Sequence, residues 1–354
     1  MSLTALPAAD ALAQLDLFSA VIDARSEDEW ALDHLPGARN WPSLNNSERI
    51  EVGTLYARVN PFEAQKRGAS LVATNIARHI SQHVMPLPRD WKPLVYCWRG
   101  GKRSGSLALV LSQIGFKVTS IEGGYKAFRA ALLQDLPVMV ERLTYRVICG
   151  TTGSGKTRLL QALHAAGAQV LDLEALANHR SSVLGSIPGQ SQPSQKRFDT
   201  LVWAALRGFD TTRAVYIESE SKKVGNLAVP DSLITAMRAS PCLLLTLPEN
   251  ERVKLLLEDY DFFVRQPEQF CQRLDALVAL RGKAVVEQWK KQVTAGDFDS
   301  VVRELLTQHY DPGYLQSIKR NFAQYGAAKT IAARAGNASV MAELALNIIA
   351  KEAG

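Results

Sequence analysis

The stretch Tyr145-Arg-Val-Ile-Cys-Gly150-Thr-Thr-Gly-Ser-Gly-Lys156-Thr157 decides how the second part of this chain must fold. Tyr145–Cys149 reads as a buried strand, and Arg158–Ala166 as a helix stopped by Gly167. Between them lies a turn that satisfies G-x4-G-K-[ST], in the strand-to-helix setting that gives this pattern its meaning. Amides of Gly150, Thr151, Thr152, Gly153, Ser154 and Gly155 would wrap a diphosphate. Lys156 would neutralise its charge, and Thr157 offers a hydroxyl to Mg²⁺. The competing reading is a loop kept only for the fold.

Downstream, Ala168–Leu173, Ala214–Glu218 and Leu243–Leu247 are further strand candidates, so this part is an α/β layered domain. No Asn-Lys-x-Asp guanine signature occurs. The strand ending at Glu218 offers an acid to a metal or as a base, with Glu220 as second candidate. An ordinary solvated loop after a strand explains the same residues equally well. Ser186–Gln195, rich in Ser, Pro, Gly and Gln, reads as an exposed loop. Beyond Glu249 the pattern is almost wholly helical, with apolar spacing of three and four over Arg273–Lys290 and Ile331–Lys351. The expected division is 1–138, a P-loop domain at 139–250 and a helical region at 251–354 packed on it.

Upstream, Ala20–Asp23 is a short strand, and Ser26 with Glu29 forms a capping-box pattern. Pro93–Cys97 is another strand, emptying into Trp98-Arg-Gly-Gly-Lys-Arg103; Ser106–Ile114 suits a helix and Val118–Ile121 a strand. A cysteine at such a strand-to-helix turn has its thiolate stabilised by backbone amides. Gly100 and Gly101 permit a tight turn, while Arg99, Lys102 and Arg103 add positive charge. These features outweigh the alternative of an inert core cysteine.

The 354 residues carry a net charge of +6, compatible with a polyanion such as RNA without demonstrating one. Cys97, Cys149, Cys242 and Cys271 form no Cys-x-x-Cys pair, which argues against structural zinc and a secreted disulfide framework. No apolar run is long enough to cross a bilayer and no export signal is evident, so a cytoplasmic protein is expected. His79 and His83, one helical turn apart, lack a nearby carboxylate or cysteine motif that would make them a metal site.

Residues from roughly 15 to 135 resemble the rhodanese family in three ordered places. Asp23-x-Arg25 with His34-Leu-Pro-Gly-Ala38-x-Asn40-x-Pro42 is similar to its first signature, Cys97–Arg103 to its active loop, and Glu122-Gly-Gly-Tyr-Lys-Ala-Phe128 to its closing signature. Five residues separate Cys97 from Arg103, one more than in simple rhodaneses. The wider loop resembles that of phosphatase relatives, although Tyr96 stands where those usually have histidine. A phosphate-bearing chalcogen donor fits both features.

Together the two loops resemble the bacterial tRNA 2-selenouridine synthases. The likeness is carried by Val95–Gly101 with Arg103-Ser-Gly-Ser106, Gly150–Thr157, Leu173–Arg180, Gln192–Gln195, Ile217–Lys222 and His309-Tyr-Asp-Pro312. Lys102 and Ser182 depart from the family pattern. The resemblance implies an α/β rhodanese-like domain followed by a P-loop domain with a helical C-terminal region. It implies geranylation of wobble 2-thiouridine from geranyl diphosphate, then replacement of geranylthiol by selenium from selenophosphate. Cys97 would carry selenium as S-selanylcysteine, with Arg99 and Arg103 orienting the donor. Trp98, beside the nucleophile, would stack on the base or merely pack its loop. His179, Arg180, Lys222 and Lys223 would meet tRNA phosphate or substrate, and Lys319-Arg320 is either part of that surface or a solvated face. The partners implied are tRNAs accepting Lys, Glu and Gln, and a selenophosphate synthetase. No tightly bound cofactor, no membrane and a monomeric protein are expected, with Mg²⁺ as a candidate ion. A plain sulfurtransferase with an ATP-using P-loop, and a nucleotide-binding regulatory module, are the rival readings.

Overall fold

Short runs of apolar, often β-branched residues build two separate parallel sheets, because strands covered on both faces by helices need no polar alternation. In the computed structural model, which describes residues 2–180, 185 and 189–353, the chain divides into two compact units. One comprises Met1–Val138 with Pro193–Ala204, the other Met139–Gln192 with Ala205–Gly354. The stretch 193–204, expected inside a continuous second domain, therefore counts with the first. Ser182 and part of the Ser186–Gln195 loop lie outside the described residues.

The first sheet contains β1 (Ser2–Leu6), β2 (Ala20–Asp23), β3 (Arg39–Asn40), β4 (Pro93–Tyr96) and β5 (Lys117–Ile121), in the order β1-β5-β4-β2-β3. All its pairings are parallel. Its buried strand residues Ile22, Val95 and Val118 pack against Leu107, Ala108 and Leu111 of the helix Lys102–Ile114. That packing fixes where β4 ends and hence where Cys97 lies.

In the second unit, β6 (Tyr145–Cys149), β7 (Gln169–Leu171) and β8 (Val215–Glu218) precede the hairpin of β9 (Lys223–Val224) and β10 (Leu227–Ala228). β11 (Cys242–Thr246) and β12 (Lys329–Ala332) complete a parallel sheet in the order β12-β11-β6-β8-β7. β12 corrects the helical reading at the start of Ile331–Lys351, within a region that is otherwise almost wholly helical. Lys329-Thr-Ile-Ala is too short to display a period of its own; the open edge of β11 gives its backbone groups partners. The following helix, Ala338–Ala353, buries Val340, Met341 and Ala345 with Leu159, Leu160 and Leu163 behind the glycine-rich loop. The helices between Phe263 and Leu305 form a second, aromatic cluster.

Candidate active sites

In the first unit, the strand-to-helix turn after β4 presents Cys97. Its side chain is buried, and Ser104 Oγ donates a hydrogen bond to Sγ at 3.0 Å. Ser104 lies in the first turn of the helix Lys102–Ile114, so the thiol sits beside a helix N-terminus, where partial positive charge favours an anion. Arg99 and Lys102 are exposed. Arg103 is half-buried and donates to Glu29 Oε2 at 2.7 Å. Burial works against the charge on Glu29, yet Arg103 and the Ser26 amide hold its carboxyl below the usual range. The capping-box acid thus also fixes the arginine that closes the cysteine loop.

The other two rhodanese-like signatures explain the loop's shape. Gly124 adopts φ +56°, and an added Cβ would lie 2.2 Å from the Cys97 carbonyl oxygen and 2.5 Å from the Gly100 nitrogen. Tyr125 N and Lys126 N donate to the carbonyls of Cys97 and Trp98 at 2.8 and 3.1 Å. Trp98 is half-buried and stacks on Tyr125 with centroids 5.4 Å apart. Asp23 pairs with Arg25 at 2.6 Å and accepts from Tyr96 Oη at 2.7 Å. Tyr96, where phosphatases have histidine, points into this buried network and away from proton transfer at Cys97. Tyr125 Oη and Thr200 Oγ1 donate to Asp33 Oδ2 at 2.7 and 3.1 Å. His79 and His83 stack on Trp41; His79 is buried and its Nε2 bonds the Pro42 carbonyl at 3.0 Å, while His83 is exposed.

In the second unit, Gly150, Gly153 and Gly155 take φ of +159°, +76° and +88°. The last two are left-handed conformations that glycine adopts without strain. Thr152, Gly153, Gly155, Lys156 and Thr157 line a cavity of about 650 Å³. Lys156 Nζ donates to the Gly150 carbonyl at 2.9 Å, and Tyr314 Oη accepts from Gly150 N at 2.7 Å. Arg252 donates to the Thr152 carbonyl from Nε at 3.0 Å and Nη2 at 2.7 Å while forking onto Asp311 at 2.9 and 2.7 Å. Asp311 belongs to the His309–Pro312 motif, which therefore braces the phosphate loop.

Three acids converge beside it. Glu174, Glu218 and Glu220 each bring a carboxylate oxygen within 4.8 Å of the others, and Thr157 Oγ1 donates to Glu174 at 3.3 Å. Glu218 is 1% exposed, and its Oε1 has no hydrogen-bond partner among the described residues. Burial raises its pKa well above the ordinary value, helped by Glu174 and Glu220 and opposed by Lys156. A buried oxygen without a donor, among carboxylates and a hydroxyl, suits a hard divalent cation. Sequence reading assigns Glu174 no role, because a helix residue 44 positions before Glu218 gives no local sign of meeting it.

His179 and Arg180 line the same cavity. Burial, with Arg273 nearby, lowers the His179 pKa, so the imidazole resists protonation. Lys222 and Lys223 are exposed beside the β9–β10 hairpin and do not line this cavity.

Residues 143–277 match the tRNA 2-selenouridine synthase AAA domain, and residues 7–131 match the rhodanese-like domain. The tRNA 2-selenouridine synthase of Hydrogenovibrio crunogenus is 32% identical over 321 residues, spanning 83% of this chain and 88% of that protein. This chain belongs to the tRNA 2-selenouridine synthase family. A family member from Aeromonas salmonicida is 29% identical over 84% of this chain and 87% of its own length. Among solved structures, a rhodanese-related protein from Thermoplasma volcanium is 20% identical over 35% of this chain and 89% of its own, with a TM-score of 0.24. The family match spans both the Cys97 loop and the Gly150–Thr157 cradle.

Proposed function

We propose that this protein converts wobble 2-thiouridine in tRNA to 2-selenouridine in two stages. In the first, the 2-thio sulfur bonds to the terminal carbon of geranyl diphosphate as the carbon–oxygen bond breaks and pyrophosphate leaves. The glycine-rich amides and Lys156 stabilise that departing charge, as preorganised donors do for a developing anion. Mg²⁺, held by Thr157 with Glu218 and its carboxylate neighbours, would supply further neutralisation. Arg252 and Tyr314 keep the loop in its binding conformation, which spares reorganisation when the diphosphate arrives.

In the second stage, selenium bonds to C2 of the base as the carbon–sulfur bond breaks and geranylthiol leaves. Water then cleaves the donor's selenium–phosphorus bond, so phosphate leaves and selenium keeps its oxidation level, while the Cys97 thiol at the helix N-terminus holds the donor in the loop. The exposed Arg99 meets the anionic phosphate of selenophosphate, and Arg103, tied to Glu29, sets the loop's width. The tRNAs accepting Lys, Glu and Gln are the substrates, and a selenophosphate synthetase supplies the donor. The exposed Lys222 and Lys223 are candidate tRNA phosphate contacts.

The observation that carries this reading is one chain holding both a thiol loop and a diphosphate cradle, inside a family match that spans both. The test incubates the protein with 2-thiouridine tRNA, geranyl diphosphate and selenophosphate, followed by nucleoside mass spectrometry. S-geranyl-2-thiouridine is expected without selenophosphate and 2-selenouridine with it. Lys156→Ala should cripple geranylation, and Cys97→Ala should stop selenium incorporation while sparing geranylation. ATP-dependent sulfur insertion with neither product would establish the sulfurtransferase reading instead.

A further inference from the structure

Beside the phosphate cradle lies an apolar slot at the seam of two clusters. On one side stand Phe263, Phe270 and Leu305 with Phe298; on the other, Val302 and Leu306 with Leu256 and Leu257. Phe263 and Phe270 stack at 5.0 Å, forming a flat aromatic wall. Of the residues lining the slot, only Thr152, Tyr260 and Tyr310 carry a polar side-chain atom. Among the described residues, no side-chain amide or carboxylate lines it to read the edge of a nucleobase, and specificity in such a pocket comes from shape.

The slot is continuous with the cradle. Thr152, Leu256 and Tyr260 line both. Thr152 belongs to the phosphate loop itself, so a group bonded to a diphosphate there has an apolar exit within one residue. At that exit Arg252 holds the Thr152 carbonyl, and the Arg180 guanidinium lies over the Tyr260 ring at 4.7 Å.

We infer that this slot is the tail subsite of the P-loop and takes the distal isoprene unit of a short prenyl diphosphate. The inference rests on reading the cradle as a prenyl diphosphate site, and adds to it the residues that set chain length. The slot's cavity is about 60 Å³. At roughly 10–15 Å³ for each water-sized group, that is room for about four to six such groups. A five-carbon isoprene unit matches it. A one-unit chain ends at the Leu256–Tyr260 mouth, a two-unit chain fills the slot, and a third unit finds no further room.

The test is calorimetric titration of the full chain with inorganic pyrophosphate and with dimethylallyl, geranyl and farnesyl diphosphates, using ATP as a comparison. Geranyl diphosphate should bind about 100-fold tighter than dimethylallyl diphosphate, since burying one branched five-carbon group is worth roughly two powers of ten. Farnesyl diphosphate should gain nothing beyond geranyl. Leu257→Trp fills the slot from a half-buried position and should reduce geranyl affinity to the dimethylallyl level. Val264→Trp, at an exposed rim position that tolerates a larger side chain, should do the same in part. Pyrophosphate affinity reports whether each variant keeps a folded cradle. Equal affinities across the prenyl series, with pyrophosphate bound, would overturn the slot while leaving the cradle. Tighter binding of ATP than of geranyl diphosphate, or no binding of any diphosphate, would overturn the cradle reading and the slot with it.

Discussion

Replacing Glu218 with glutamine should stabilise the metal-free protein and abolish its thermal response to Mg²⁺. Glu218 is buried, with two carboxylates whose oxygens lie within 4.8 Å. At an effective dielectric near 20, one such pair of charges repels by about 3 kcal/mol. Protonation offers an escape, so the strain at pH 7 is also bounded. Over the interval from the ordinary value of 4.5 to pH 7, at 1.36 kcal/mol per pH unit, it cannot exceed about 3.4 kcal/mol. Two such pairs together exceed that ceiling, so protonation sets the limit. Because the folded pKa is raised, the carboxyl's contribution to stability is complete below about 4.5 and is lost as pH rises through the folded value. The advantage of Glu218→Gln over wild type should therefore grow with pH. Near pH 7 in EDTA, a gain of up to about 3 kcal/mol corresponds to a rise in Tm of roughly 5–10 °C for a unit of this size. Adding Mg²⁺ at about 100 times its Kd should raise the wild-type Tm comparably, by about 2.7 kcal/mol of linkage, and leave the variant unmoved. Thermal melts across pH, with EDTA or Mg²⁺, measure both. A variant less stable than wild type in EDTA at every pH, or one that gains equally from Mg²⁺, would refute the reasoning.

Two other substitutions probe the supports of each loop. Gly124→Ala places a Cβ 2.2 Å from the Cys97 carbonyl at a left-handed φ. It should destabilise the first unit by about 2 kcal/mol or more and alter the rate of Cys97 alkylation by iodoacetamide. An unchanged Tm and alkylation rate would show that the Glu122–Phe128 signature does not shape the cysteine loop. Arg252→Met leaves Asp311 and the Thr152 carbonyl without their shared donor. It should cost about 3 kcal/mol in denaturant unfolding and weaken pyrophosphate binding roughly tenfold. Intact pyrophosphate affinity would show that the loop holds its shape unaided.

Much of each loop was legible because its chemistry is local. Gly150–Thr157 encodes strand, turn and helix within thirteen residues of Tyr145, and Cys97–Arg103 does the same after β4. Their partners were not. Tyr314 reaches Gly150 from 164 positions away, and Arg252 reaches Thr152 from 100. Neither leaves a trace in spacing, since long-range contacts follow from packing and not from periodicity. The strand β12 escapes a reading from sequence for the same reason: its four residues take their conformation from the edge of β11.

By itself, the sequence determined two α/β units, the thiol loop and the glycine-rich loop, because glycine placement and strand-to-helix pattern are properties of neighbouring residues. The tertiary structure alone decided that Glu174 joins Glu218 and Glu220, that Glu29 serves Arg103 as well as its own helix, and that an apolar slot opens from Thr152. Each of these depends on side chains from distant segments meeting in a low-dielectric interior, where burial sets which charges and which apolar surfaces must find one another.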